Sequence, residues 1–172
     1  DRDALQKWSS FSKDFDTPIS EIVKETVVEK RTRVAQLLEN FEAFCYYYFP
    51  KVTKAKFSKW HKKFTKYMID AKFNINIAIA KISRDMAKSS VAAMLVIFLY
   101  YNNEFKSLGL FSHNYDNAET LLKPIKSALE KNELLIRDFG YRVGIGSWSA
   151  GHFTTNDGVS FKALGAGQTP RG

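Results

Sequence analysis

The sequence predicts an α/β fold, because a strand, a loop and an apolar helix follow one another in the middle of the chain. Apolar and small or polar residues alternate over residues 72–80, with isoleucine prominent among them, which is typical of a strand. Residues 88–101 then form an apolar run rich in helix-forming residues. Amphipathic helical patterns precede this unit, and a glycine-rich region of short alternating segments follows it.

Composition indicates one folded domain with a basic surface. The 172 residues are 45% hydrophobic, and 26 Lys and Arg against 18 Asp and Glu give a net charge of +8. This excess favours a polyanionic partner, either a nucleic acid or a nucleotide. The single Cys45 cannot form an internal disulfide, and the three histidines show no zinc spacing. The longest apolar run, 91–101, is about half of the ~20 residues that a membrane span needs, so we expect no membrane segment.

The N-terminal half predicts two helices. Residues 1–16 lack periodicity and are interpreted as an arm or linker, whereas 17–71 form a helical region. Thr17-Pro18 is typical of a helix start, and apolar spacing of three and four predicts one helix from there to near Pro50. A second helix is expected over about 53–71. Residues 51–72 contain eight lysines and one acid, which indicates either a DNA-tracking surface or the solvated face of a core helix.

The C-terminal part, residues 72–172, is predicted to form the α/β core that carries the functional segment. A second strand is expected at 108–112, a helix at 118–131 and a third short strand at 134–136. Asn156-Asp157-Gly158 predicts a hairpin turn between 152–155 and 159–164.

The segment whose residues best suit ligand binding lies between the predicted strand and helix: Ile82-Ser83-Arg84-Asp85-Met86-Ala87-Lys88-Ser89-Ser90. In nucleotide-binding proteins a phosphate loop lies between a strand and a helix, where main-chain N–H groups and the helix N-terminus hold the anion. A lysine at the loop's end contacts the β and γ phosphates, and the next hydroxyl binds Mg²⁺. Lys88 and Ser89 fit both roles, but Ile82 and Ala87 replace the two expected glycines. Without glycine, the loop must keep ordinary dihedral angles or accept strain.

The same segment resembles the phosphate loop of the large terminase subunits of tailed bacteriophages, which often lacks these glycines. Arg84, Ala87, Lys88 and Ser89 carry the resemblance. Downstream, Ser112-His113-Asn114 and Ala118 are similar to the family's second strand and following helix. The stretch 153–159, the Gly165-Ala166-Gly167 segment and Arg171-Gly172 are similar to the hairpin and R-G segment before Walker B. The resemblance covers roughly residues 40–172.

The resemblance implies a RecA-like P-loop NTPase fold of the ASCE type, here a partial domain with N-terminal helices and a C-terminal β-hairpin, ending before Walker B. It implies that residues 83–90 bind ATP and Mg²⁺, with Ser89 on the metal and Arg84 catalytic at the γ phosphate. Trp60 and His61 would contact adenine. Asp85 replaces the family's usual glycine and brings negative charge to the phosphates unless it points away or pairs with Arg84.

The implied parent protein is a motor that couples ATP hydrolysis to the movement of double-stranded DNA into a capsid. Its implied partners are the phage portal, the small terminase subunit and its own copies in a ring of about five subunits. Its implied location is the host cytoplasm.

Hydrolysis also needs a Walker B carboxylate pair after an apolar strand. The nearest candidate in this chain, 134–138, contains Arg137 and only one acid, Asp138. The nuclease domain of the family is absent as well. Since the chain starts without methionine and stops after the glycine-rich stretch, we expect it to be a fragment, and we expect it to hydrolyse ATP poorly or not at all.

Two alternatives stay open at this point. The first alternative to the terminase interpretation is a non-enzymatic basic module that binds nucleic acid. The second is a fragment of another P-loop motor such as a helicase. No G-x-S-x-G elbow is present, and Cys45 lies on an apolar helical stripe typical of an inert core thiol.

Overall fold

The computed structural model of the chain describes residues 10–18, 25–71 and 87–166. The predicted strand 72–80 and the loop residues Ser83, Arg84, Asp85 and Met86 lie outside the described residues, as does the Arg171-Gly172 segment. The described part is a mixed α/β fold, which confirms the predicted class at that level.

Residues 25–50 contain two helices, although the sequence predicted one continuous helix here. Helix α1 runs over Val27–Glu39 and α2 over Phe41–Tyr48. The prediction of a continuous helix was wrong because Asn40 adopts an extended conformation, and its side chain accepts a hydrogen bond from the backbone N–H of Ala43. Asn40 therefore caps α2 instead of continuing α1. The predicted helix start at Thr17-Pro18 leads into residues 19–24, which lie outside the described part; Thr17 itself is buried and donates its hydroxyl to the Tyr48 carbonyl.

The next two helices are α3, over Lys59–Ala71, and α4, over Lys88–Tyr101. Helix α3 begins six residues later than predicted, because Ser58 caps it with a hydrogen bond from the His61 backbone N–H to its hydroxyl. Helix α4 has the predicted bounds. Its buried residues lie on nearly every side, as expected of a helix in the centre of a core.

In the described part of the chain, four strands form one sheet in the order β1-β4-β3-β2. They are β1 (Ser107–Ser112), β2 (Val143–Trp148), β3 (His152–Thr155) and β4 (Ser160–Gly165). Strands β1 and β4 are parallel, and the other neighbours are antiparallel. The predicted second strand and the hairpin around Asn156-Asp157-Gly158 are confirmed, whereas β2 was not predicted as a separate strand.

Helix α5, over Tyr115–Lys131, covers β1 and β4 and confirms the predicted helix with an earlier start. The predicted strand at 134–136 was wrong, since these residues belong to helix α6, over Glu133–Phe139. Asn132 starts this helix by accepting a hydrogen bond from the Leu135 backbone N–H. Leu135 is completely buried, so its side chain packs into the core as a helical residue and not as part of the sheet.

One hydrophobic cluster joins the helical region to the sheet. Phe98 of α4 makes edge-to-face contact with Phe44 of α2, and Tyr100 contacts Phe161 of β4. Phe15, completely buried, packs on Phe49, so the described end of the predicted arm also belongs to this core. The division at residues 16 and 71 stays a prediction. Among the described helices, none has both the length and the apolar character that crossing a bilayer requires.

Candidate functional site

The start of helix α4 carries an unusual backbone conformation at Ala87. This residue has φ 48° and ψ 24°, in the left-handed region that alanine rarely adopts. The conformation costs an alanine roughly 1–2 kcal/mol. Ala87 stands where a phosphate loop has its second glycine. The sequence left two outcomes open at this position, ordinary dihedral angles or strain, and the backbone of Ala87 is strained.

Helix α4 also differs from the other helices in how it begins. A polar side chain caps the first turn of each of the five other helices with the bounds given above; the capping residues are Thr26, Asn40, Ser58, Asn114 and Asn132. Ala87 has no polar side chain and makes no such cap. The residue that precedes α4 therefore offers no side-chain acceptor to the first N–H groups of the helix, and the positive end of the helix dipole lies beside them.

Lys88 and Ser89 occupy the first turn of α4 and are both partly buried. They lie at a cavity of about 230 Å³ whose other lining residues are apolar, from α4, β1 and α5. A lysine and a hydroxyl at a helix N-terminus can together hold a phosphate and one coordination position of Mg²⁺, which usually takes its remaining ligands from phosphates and water.

A second cavity, of about 110 Å³, lies on another side of the α4 start. We call it the α3–α4 cavity. Ala87 and Ser90 line it from α4, and Phe57 and His61 line it from the segment around the start of α3. Ligand pockets for whole small molecules usually measure ~300–1,000 Å³, so this cavity can take only part of a nucleotide. His61, which the resemblance predicts to contact adenine, lines this cavity together with Ala87 at the end of the predicted phosphate loop.

The orientation of His61 is fixed by the cap of α3. Its Nδ1 accepts a hydrogen bond from the Ser58 backbone N–H at 3.2 Å, and the Ser58 hydroxyl lies 3.0 Å from the same nitrogen. Because Nδ1 acts as acceptor toward a backbone donor, the neutral ring carries its proton on Nε2. The ring is thus held in place before any ligand arrives, which is useful in a binding site.

Trp60, the other residue predicted to contact adenine, is not among the residues that line the α3–α4 cavity. Its ring stacks on Phe64 at 5.3 Å with an interplanar angle of 8°. Phe64 in turn packs against the core. The structure therefore brings His61 to the α4 start and engages Trp60 in packing along α3.

The acid nearest to a Walker B pattern, Asp138, has a different environment. Its side chain is completely buried and accepts hydrogen bonds from Arg33, Tyr48 and Arg137. Burial alone would raise the pKa of Asp138, but these hydrogen bonds lower the pKa to about 2. With its oxygens engaged by three donors, this carboxylate joins α1, α2 and α6. Sequence spacing gives no signal for this cluster, because Arg33 and Asp138 are 105 positions apart.

No protein-family model matches the chain, and a search of curated proteins returns no significant match.

Proposed function

We propose that the chain is the ATP-binding part of a phage DNA-packaging motor, a terminase large subunit of P-loop NTPase fold. The observation that carries the proposal is the start of helix α4. There a left-handed Ala87 is followed by Lys88 and Ser89, on a helix end without a side-chain cap. This conformation matches the requirement of a phosphate loop for positive φ before the lysine, and the positive end of the helix dipole at this N-terminus favours an anion.

In this proposal each residue has a defined role. Lys88 neutralises the β and γ phosphates, and Ser89 supplies one ligand to Mg²⁺. His61, oriented by Ser58, contacts the nucleoside part of ATP in the α3–α4 cavity. Arg84 takes the γ-phosphate role on the strength of the terminase resemblance, since it lies outside the described residues.

The proposal also includes weak hydrolysis by this chain. Asp138 holds three donors in a buried cluster and is unsuited to order Mg²⁺ or activate water. The portal, the small terminase subunit, a ring of like subunits and the host cytoplasm are the proposed surroundings of the motor to which this part contributes.

The test is thermal unfolding with and without ATP and Mg²⁺. A ligand present at about 100 times its Kd adds roughly 2.7 kcal/mol to the free energy of unfolding, so the melting temperature should rise by several degrees. Lys88→Ala should remove most of this rise. Lys106→Ala, an exposed lysine at the start of β1, is the matched control and should retain it. An unchanged melting temperature in the wild-type chain, or an equal rise in Lys88→Ala, refutes nucleotide binding at this site.

A second function, nucleic-acid binding without any nucleotide role, is favoured by one observation. All seven described lysines of the basic segment around α3 are exposed, at positions 51, 54, 56, 59, 62, 63 and 66. Such a surface can neutralise phosphates without a nucleotide. This alternative predicts that the chain binds DNA and that ATP with Mg²⁺ leaves its melting temperature unchanged. The same thermal experiment therefore separates the two functions.

A further inference from the structure

A cleft of about 470 Å³ lies between the N-terminal segment and helix α5, away from the α3–α4 cavity. We call it the α5 cleft. Ser12, Lys13 and Asp16 line one wall, and Ala150 contributes from the loop before β3. The α5 wall consists of two hydroxyl and four charged side chains: Thr120, Lys123, Lys126, Ser127, Glu130 and Lys131. Four lysines and three hydroxyls thus face one space, although residues 12 and 131 are far apart in sequence.

The two acids in the lining do not cancel this charge. Asp16 accepts a hydrogen bond of 2.6 Å from the Ser127 hydroxyl, which directs one of its oxygens to the wall of the cleft. Lys123 lies 3.6 Å from Glu119 on the same helix, and an exposed pair of this kind constrains a lysine only weakly. Four lysines against Asp16 and Glu130 leave the lining with a net positive charge.

The spacing of the lysines fits a polymer of phosphates better than a single anion. From Lys123 to Lys131 the rise along α5 is about 12 Å, at ~1.5 Å per residue. Along one strand of B-DNA, successive phosphates advance by ~3.4 Å, so the row spans about three to four of them. Lysine side chains are typical contacts of phosphate oxygens in DNA complexes, and the lysines carry the argument, since Thr120 and Ser127 already donate their hydroxyls to the Asp116 carbonyl and to Asp16.

We propose that the α5 cleft binds the phosphodiester backbone of double-stranded DNA. The site goes beyond the nucleotide site, because it shares no residue with it, and it gives the proposed motor a specific surface for its DNA track. Its contacts are to phosphates and sugars, so binding is independent of base sequence and strongly dependent on salt.

A different basic surface supplies the control. Lys62 and Lys66 of α3 are exposed lysines, but they line a depression that also contains Glu39, Glu42 and Asp70. Lys62 lies 2.7 Å from Glu42 in an ion pair. A phosphate backbone that approaches this depression meets three carboxylates. Neutralising these two lysines changes the net charge of the chain as much as neutralising two lysines of the cleft.

The experiment measures binding of a fluorescent DNA duplex of mixed sequence by anisotropy over a series of salt concentrations. The double variant Lys13→Gln/Lys131→Gln removes one exposed lysine from each wall of the α5 cleft. We expect it to bind about tenfold more weakly at low salt and to lower the slope of log K against log salt by about 1.8, two phosphate contacts at ~0.9 each. Lys62→Gln/Lys66→Gln should bind like the wild type. Equal losses in both variants, or none in the cleft variant, overturn the proposal.

Further arms exclude other polyanions and folding defects. Polyglutamate and vesicles with anionic headgroups should bind far more weakly than the duplex at equal charge concentration, and equal binding of either one overturns the assignment to DNA. The cleft variant should keep the wild-type melting temperature, since its two lysines are exposed; if it unfolds, Lys13→Arg/Lys131→Arg must retain DNA binding for the proposal to stand. The response of the cleft variant to ATP with Mg²⁺ should be normal, so failure here is distinct from failure of the nucleotide site.

Discussion

Arg33 and Asp138 form a two-pronged ion pair that joins helix α1 to helix α6. Arg33 Nη1 lies 2.7 Å from Asp138 Oδ2, and Nη2 lies 3.1 Å from Oδ1. The Asp138 side chain is completely buried, whereas Arg33 also binds Glu25 and lies over the ring of Tyr47. Two parallel charge-assisted hydrogen bonds fix the relative orientation of the two side chains as well as their distance. The pair therefore orients helix α1 against helix α6.

Asp138→Asn should destabilise the chain by about 3–5 kcal/mol, because it leaves the Arg33 and Arg137 charges without their buried partner. Urea denaturation followed by circular dichroism measures the change. Glu119→Gln is the control, since it removes a partly exposed pair within one helix and should cost less than about 0.5 kcal/mol. A loss in Asp138→Asn no larger than in this control would mean that the buried pair contributes nothing.

The stability of the chain should fall as the pH drops from about 5 toward 2. Asp138 has a folded-state pKa of about 2, below its ordinary value of 3.8, so it contributes stability that is fully present above the ordinary pKa. This contribution, on the order of 2 kcal/mol, is lost as the pH approaches the folded-state pKa. The pKa of Asp157 is also lowered, against the effect of its burial, by hydrogen bonds from Thr155 and Tyr100. Urea midpoints measured from pH 7 to 2.5 should therefore decrease less steeply with falling pH in Asp138→Asn than in the wild type. Some decrease should remain in the variant, because Asp157 still titrates.

An acid slope equal in the two proteins would assign the effect to other carboxylates. The comparison is made as the change in unfolding free energy with pH, because the variant begins from a lower stability.

Local sequence signals predicted the elements whose information is contained in one segment. Helix α4 was predicted with its correct bounds, because its length and composition favour a buried helix over any strand. Residues 134–136 misled, since three apolar residues fit either state, and the deciding residue was Asn132, which caps a helix. Lys88 and Ser89 were singled out by their position between a predicted strand and a helix together with the terminase resemblance, and their role at the phosphates stays a prediction. The approach of His61 to Ala87 and the meeting of Lys13 with Lys131 depend on tertiary packing, which no periodicity encodes.

Ala87→Gly should leave stability unchanged or raise it by up to about 1.6 kcal/mol. Glycine adopts the left-handed conformation without the ~1–2 kcal/mol that alanine loses there, and its greater freedom in the unfolded chain offsets ~0.4–1 kcal/mol of the gain. Ala92→Gly is the matched control, because Ala92 is exposed in the interior of the same helix and should lose about 1 kcal/mol. Urea denaturation of both variants gives the comparison. Equal losses would mean that Ala87 is not strained.

Ser90→Leu should block the α3–α4 cavity and so weaken ATP binding, if the nucleoside part of ATP enters there. Ser90 lines this cavity together with His61, and the larger side chain occupies much of its volume of about 110 Å³. Ala35→Leu is the control, because Ala35 is exposed on helix α1 and lines neither of the two cavities at the start of α4. We expect the rise in melting temperature with ATP and Mg²⁺ to fall by at least half in Ser90→Leu and to persist in Ala35→Leu. Lys88 is unchanged in both variants, so the comparison reports on the α3–α4 cavity. An equal rise in the two variants would exclude the nucleoside from this cavity and remove His61 from the site.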